Sequence, residues 1–135
     1  MSLIDDVKKH EGFSPVVYQC TAGYDTIGYG QRVKYLKVTQ EQAEEWLKEE
    51  LSNLKYILAD KYNWFLSAPQ EVQDVVMNMN YQLGVTAFSK FKKTIYLLAN
   101  KDYKGASVEM LDSKWARTDT PRRAKELSDR LKQVE

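Results

Sequence analysis

Glu11, Cys20 nine residues later and Thr26 six after that stand in a segment that reads His10-Glu11-Gly12-Phe13, then Tyr18-Gln19-Cys20, then Thr26-Ile27-Gly28-Tyr29-Gly30. Together they offer a carboxyl that can give or take a proton, a thiol whose anion is a strong nucleophile, and a hydroxyl that both donates and accepts a hydrogen bond. Taken singly, each has an ordinary explanation. A glutamate on a polar helix is usually a solvated charge, a lone cysteine a small buried hydrophobe, and a threonine in a strand a residue of high β-propensity. The joint spacing argues for a site. A helix-ending Glu-Gly-Phe, a Tyr-x-Cys closing the next strand and a Thr-Ile-Gly-Tyr-Gly after a glycine turn rarely coincide by chance.

The elements that must position these residues are legible around them. Ser2 caps a short helix whose apolar positions Leu3, Ile4 and Val7 recur at helical spacing, and Gly12 stops it just after Glu11. Val16, Val17 and Tyr18 then predict a strand, Thr21-Ala22-Gly23 a turn, and residues 26–31 a second strand, which makes a small hairpin. On a continuous strand Thr26, Gly28 and Gly30 share one face, so open space is expected beside Thr26, where a sugar can lie. The rest is predicted helical. Thr39 with Gln42 forms a capping box for a helix carrying Ala43, Trp46, Leu47, Leu51, Leu54 and Leu58. Ser67 with Gln70, and Pro69 in the first turn, start another, with Val72, Val75, Val76, Met79 and Leu83 on its apolar face and Gly84 at its end. Ser89, Asp102 and Thr120 before Pro121 are expected to open the remaining helices. Tyr62, Trp64, Phe65, Phe88 and Trp115 read as core.

On these motifs the chain resembles the T-even bacteriophage lysozyme family, muramidases that cut peptidoglycan between N-acetylmuramic acid and N-acetylglucosamine. The likeness covers nearly the whole chain. It extends to Asn78-Met79-Asn80-Tyr81-Gln82-Leu83-Gly84, similar to the end of the family's long central helix, and to Phe91-x-x-Thr94-Ile95-x-x-Leu98-x-Asn100. Trp115 followed by Thr120-Pro121-Arg122-Arg123-Ala124 is similar to the family's terminal tryptophan and threonine-proline-x-arginine element. The resemblance implies an α+β, lysozyme-like fold in one domain, residues 1–135. A small β-hairpin lobe (about 12–58) would be joined by a long helix to a mainly helical lobe (about 1–11 and 59–135). The link from Gly30 to Thr39 is short, so that lobe lacks a segment present in the T-even enzyme.

The same resemblance implies roles. Glu11 matches the general acid, which protonates the leaving glycosidic oxygen and must therefore hold a proton near neutral pH. Thr26 matches the residue that positions the attacking water. Arg123 matches a supporting arginine that partners the catalytic glutamate. Tyr81, Gln82 and Thr94 match sugar-contacting positions, while Arg32 and Glu109 fall at substrate-contacting positions where the T-even enzyme has a leucine and an asparagine. No metal or cofactor is implied.

Cys20 is the departure, because the family reference carries aspartate there. In two-carboxylate glycosidases the second group serves as a base for water or as a nucleophile. A thiol of ordinary pKa, about 8.5, is mostly protonated at neutral pH, where an aspartate of about 3.9 is charged. A neighbouring Glu11 anion would raise it further, whereas Arg32 or Arg123 would lower it. Three accounts stand: Cys20 replaces the aspartate, Asp25 supplies the missing carboxylate, or the site is dead and the domain only binds wall. The first fits the resemblance, since other phage lysozymes carry cysteine at this position, and strand alternation, which points Asp25 to the other face, ranks the second below it.

Composition agrees with a compact soluble enzyme, at 135 residues with 43% apolar and 29% charged. No repeat or low-complexity tract appears. The net charge of +1 is uneven: residues 1–85 hold 8 Lys and Arg against 12 Asp and Glu, and residues 86–135 hold 12 against 7. That basic second part suits anionic peptidoglycan glycan strands as the partner, without nucleic acid and without stable membrane insertion. A monomer is expected. The single cysteine cannot make an intrachain disulfide. Residues 1–10 are too polar for a signal peptide, so synthesis in the bacterial host cytoplasm and action on the periplasmic wall through a separate membrane pore are expected. The competing class is an inactive lysozyme-fold wall-binding or phage structural domain.

Overall fold

The computed structural model describes residues 2–134. It has an α+β, lysozyme-like architecture and divides into two compact units, Met1–Glu44 and Glu45–Glu135. The first unit opens with α1, Leu3–Glu11, capped by the Ser2 hydroxyl, which accepts from the Asp5 N–H at 3.2 Å. Asp5 and Asp6 lie in its first turn and Lys8, Lys9 and His10 in its last, the arrangement the helix dipole favours. Gly12 ends it by donating its N–H to the Lys8 carbonyl. This helix falls in the first unit. Lys8 Nζ sits 5.4 Å from the centre of the Tyr29 ring and the Glu11 carboxylate lies against Gly30, so its local partners are in the sheet.

The sheet is antiparallel, in the order β1 (Ser14–Gln19), β2 (Asp25–Gly28), β3 (Gln31–Arg32). Tyr18 pairs with Thr26, Gln19 with Asp25, and Thr26 in turn with Arg32; an irregularity between Ser14 and Tyr18 brings Ser14 opposite Gly28. The expected single hairpin with a continuous strand over 26–31 is thus corrected. Gly28 (φ 72°) and Gly30 (φ 78°) occupy the left-handed region, which breaks the strand and turns the chain back as β3. Gln31 holds this second turn by accepting the Tyr29 N–H at 2.6 Å. Thr26, Gly28 and Gly30 therefore do not line one continuous strand face, and Thr26 is only 2% exposed rather than standing on an open surface. Thr26 is the one buried residue among the described residues of this unit.

The helix α2, Gln40–Lys61, starts in the first unit and continues through the second. Its capping box is reciprocal: Gln42 N–H donates to Thr39 Oγ1, and the Thr39 N–H to Gln42 Oε1, both at 3.1 Å. Its apolar stripe is buried only towards the end, at Leu54 and Leu58, whereas Trp46 is 56% exposed. The core cluster begins with Leu51 and Leu54, and Glu41, Glu44, Glu45, Glu49 and Glu50 keep the earlier turns solvated.

The remaining elements are α3 (Gln70–Leu83), α4 (Val85–Phe88), α5 (Lys92–Ala99), α6 (Tyr103–Glu109), a π-helical turn (Trp115–Asp119) and α7 (Pro121–Lys132). They enclose a core in which Phe65, Val76, Met79, Phe88, Met110 and Leu131 are almost wholly buried. Asp102 caps α6 as expected, accepting from the Gly105 N–H at 2.9 Å, and Thr120 precedes Pro121 at the start of α7. Two predicted starts are corrected. Ser67 does not cap α3: its hydroxyl donates to the Trp64 carbonyl while Gln70 donates to Asp74, and Pro69 lies before the first turn, in extended backbone. The residue ahead of a proline is held out of the helical region, which delays the start. Ser89 closes the short α4, donating to the Thr86 carbonyl, and α5 starts only after Phe91. Among the described residues no helix is long and apolar enough to cross a membrane.

Candidate active site

In the first unit, Glu11, Cys20, Thr26 and Arg32 all stand on or beside the small sheet. Glu11 is the last residue of α1 and its side chain is exposed. A Cβ added at Gly30 would lie 2.5 Å from Glu11 Oε2 and 2.8 Å from its carboxyl carbon. Gly30 therefore seats the carboxylate, a task for which its missing side chain matters as much as its backbone angle. By strand alternation in the sequence that glycine falls on a sugar-facing surface. Its place in Thr-Ile-Gly-Tyr-Gly was the available signal.

Cys20 follows β1 in a tight turn, its N–H donating to the Tyr24 carbonyl at 3.0 Å and its carbonyl accepting from Gly23 at 2.8 Å. Its thiol is held below the ordinary value. The backbone hydrogen bond from Tyr24 is the largest cause and that from Ala22 the next; partial burial opposes them, and the Thr26 hydroxyl and Arg32 charge add to the lowering. Arg32 thus acts in the direction expected but is the smallest contributor, and Glu11 does not figure among the causes. The Thr26 hydroxyl carries one proton, which it gives to the Tyr24 carbonyl at 2.8 Å. Turned the other way, the same proton serves the Cys20 thiolate, so Thr26 can switch between them.

A lowered thiol predicts raised reactivity. In iodoacetamide alkylation followed against pH, the midpoint for Cys20 is expected below the ordinary thiol value of about 8.5. Arg32→Leu should move it up by only part of that difference, because the backbone hydrogen bonds remain. A midpoint at or above the ordinary value would show that the Tyr24 and Ala22 amides do not reach the sulfur.

In the second unit, Thr94, only 2% exposed, and Glu109 line one pocket of about 340 Å³ with Lys90, Lys92, Lys93 and Asp112. Tyr81 is exposed and lines a separate pocket of about 490 Å³ with Asn80, Leu54 and Ile57. The Gln82 amide is committed on both sides: Trp115 Nε1 donates to its Oε1 at 2.9 Å, and its Nε2 donates to Thr120 Oγ1 at 3.0 Å. Arg123 donates from Nε to Asn78 Oδ1 at 2.9 Å and from Nη2 to the Asn78 carbonyl at 3.3 Å. In the sequence Asn78 stands only within a helix motif, and its hold on Arg123, 45 residues away, has no local sign.

A helix-end carboxyl seated against a small antiparallel sheet, followed in the chain by a helical unit, is the α+β, lysozyme-like arrangement. The family model described as phage lysozyme matches residues 8–133. An endolysin of Acyrthosiphon pisum secondary endosymbiont phage 1 is 32% identical over 114 residues, covering 82% of this chain and 75% of its own length. A protein described as probable T4-type lysozyme 2, from Dictyostelium discoideum, is 40% identical over 47 residues, 35% of this chain and 27% of its own length. The chain belongs to the phage lysozyme family. It is a lysozyme, a peptidoglycan hydrolase whose place of action is the cell wall.

Proposed function

We propose that this lysozyme cleaves the β-1,4 bond between N-acetylmuramic acid and N-acetylglucosamine, with Glu11 as general acid and Cys20 with Thr26 managing the water. The observation that carries this reading is the environment of Cys20. Backbone hydrogen bonds, the Thr26 hydroxyl and Arg32 all favour its thiolate, the form that can do the work of an aspartate. Glu11 gives its proton to the departing glucosamine oxygen as the bond to the muramic C1 breaks. A water held by Thr26 adds to C1 from the opposite face and passes its proton to the Cys20 thiolate, so hydrolysis inverts the anomeric centre. Solvent then returns the Cys20 proton to Glu11.

Tyr81, Thr94, Arg32 and Glu109 serve as substrate contacts in this reading. Gln82 contributes through Trp115 and Thr120, and Arg123 as a supporting cation set by Asn78. The enzyme acts as a monomer, is made in the bacterial host cytoplasm and reaches the wall through a separate membrane pore.

The test is digestion of purified Gram-negative peptidoglycan under reducing conditions by the wild type, Cys20→Ala and Cys20→Asp. Muramic acid at the new reducing ends, inverted configuration, loss with Cys20→Ala and activity with Cys20→Asp are the expected results. Retained configuration, or a sugar trapped on Cys20, would replace the water mechanism with a covalent one. If the wild type releases no fragments but sediments with wall, the domain is a wall binder.

A further inference from the structure

Within the first unit a pocket of about 380 Å³ is lined by Tyr24, Asp25, Arg32, Val33, Lys34 and Tyr35. Its two cations rest on rings. The Arg32 guanidinium lies 4.0 Å from the centre of the Tyr24 ring, and Lys34 Nζ lies 5.7 Å from that of Tyr35. Among the described residues no carboxylate is within ion-pair distance of either. A stacked guanidinium keeps its in-plane N–H groups free and pre-aimed, the geometry that takes a carboxylate with two parallel hydrogen bonds. Arg32 is also the cross-strand partner of Thr26, so the pocket adjoins the residue placed at the reacting water.

We propose that this pocket is a carboxylate subsite, holding an acid group of the stem peptide that the wall's muramic acid carries; the assignment rests on the muramidase reading. Arg32 supplies the fork and Lys34 a second positive charge. Asp25, on the same pocket, repels a bare anion but accepts from a peptide N–H. The pocket therefore suits a carboxylate with an amide N–H beside it, as at each acidic residue or C-terminus of a peptide, better than an inorganic anion. A neutral sugar chain lacks that group, so the pocket distinguishes acid-bearing wall from uncharged glycan.

The test uses the full chain and two soluble probes. One is an N-acetylglucosaminyl-N-acetylmuramic acid disaccharide with a tetrapeptide; the other is the same molecule with its peptide carboxylates converted to carboxamides. Wild type should bind the carboxylate form about tenfold more tightly, as a charge-assisted hydrogen-bonded pair gives in a half-open site. The preference should weaken as salt is raised. Arg32→Leu should bring the two affinities within about twofold, and Arg32→Lys should keep part of the preference, since a point charge replaces the fork. Lys34→Ala, further along the chain, gives a smaller loss without touching the sheet. Equal affinities in the wild type, no binding of either probe, or a preference unchanged in Arg32→Leu and Lys34→Ala would overturn the assignment. Wall digestion by the same wild-type protein is scored separately, so that failure of the muramidase reading and failure of the carboxylate preference are read from different assays.

Discussion

Glu11→Gln is expected to lower the rate of wall hydrolysis by about 10²–10⁴-fold, the range that a positioned general acid contributes. The variant keeps the shape of the side chain and removes only the proton that the leaving oxygen needs. Its fold should be unaffected. Among the described residues Glu11 makes no ion pair and no side-chain hydrogen bond, and its main neighbour is a glycine, against which an amide fits as well as a carboxylate. Unfolding stability should therefore stay within about 0.5 kcal/mol of the wild type. Product release assayed on peptidoglycan beside thermal unfolding separates the two effects. Activity within about threefold of wild type would remove Glu11 from the chemistry, since even the low end of general-acid catalysis exceeds that. A large fall in stability would mean that the helix end depends on the charge.

The parts of this site that could be read from the sequence are those built from contacts a few residues apart. Ser2 with Asp5, Thr39 with Gln42 and Asp102 with Gly105 are side-chain caps across three residues, and each forms as its residue types dictate. Glu11 at a helix end follows from the same kind of signal. The misread parts depend on backbone angles or on distant partners. The turn at Gly28 to Gly30 looks like strand in a residue pattern, because alternation survives across it, and only the positive φ values reveal the break. Thr26 was expected to face open space for the same reason. The commitments of Gln82 to Trp115 and Thr120 reach across 33 and 38 residues, and that of Arg123 to Asn78 across 45. No local pattern announces them. The Cys20 thiol is the middle case: its charged neighbour Arg32 was named from the sequence, but the backbone hydrogen bonds that outweigh it come from the turn's geometry.

Phe88→Ala should destabilise the second unit by about 3–5 kcal/mol, the cost of emptying a wholly buried phenylalanine site. Phe88 has no exposed surface. It meets Tyr62 edge-on at 6.0 Å between ring centres and stacks on Phe91 at 6.2 Å, and Phe91 in turn meets Trp115 edge-on at 6.1 Å. Loss of the ring therefore removes the packing behind the tryptophan whose indole N–H holds Gln82. The midpoint of urea unfolding should fall with little change of slope, as it does when stability changes and the exposed area does not. Tyr56→Ala on α2 is the matched control: Tyr56 is 76% exposed, and its removal should cost no more than about 0.5 kcal/mol. Catalysis should follow stability, normal well below the lowered unfolding temperature and lost near it, because the ring packs on Tyr62 and Phe91 in the core of the second unit, residues that carry no chemical role in the proposed reaction. A loss under about 1 kcal/mol would mean that neighbouring side chains refill the site, which a rigid ring cluster resists. If activity fell at low temperature while the protein stayed folded, the path from Phe88 through Phe91 and Trp115 to Gln82 would carry positioning as well as stability.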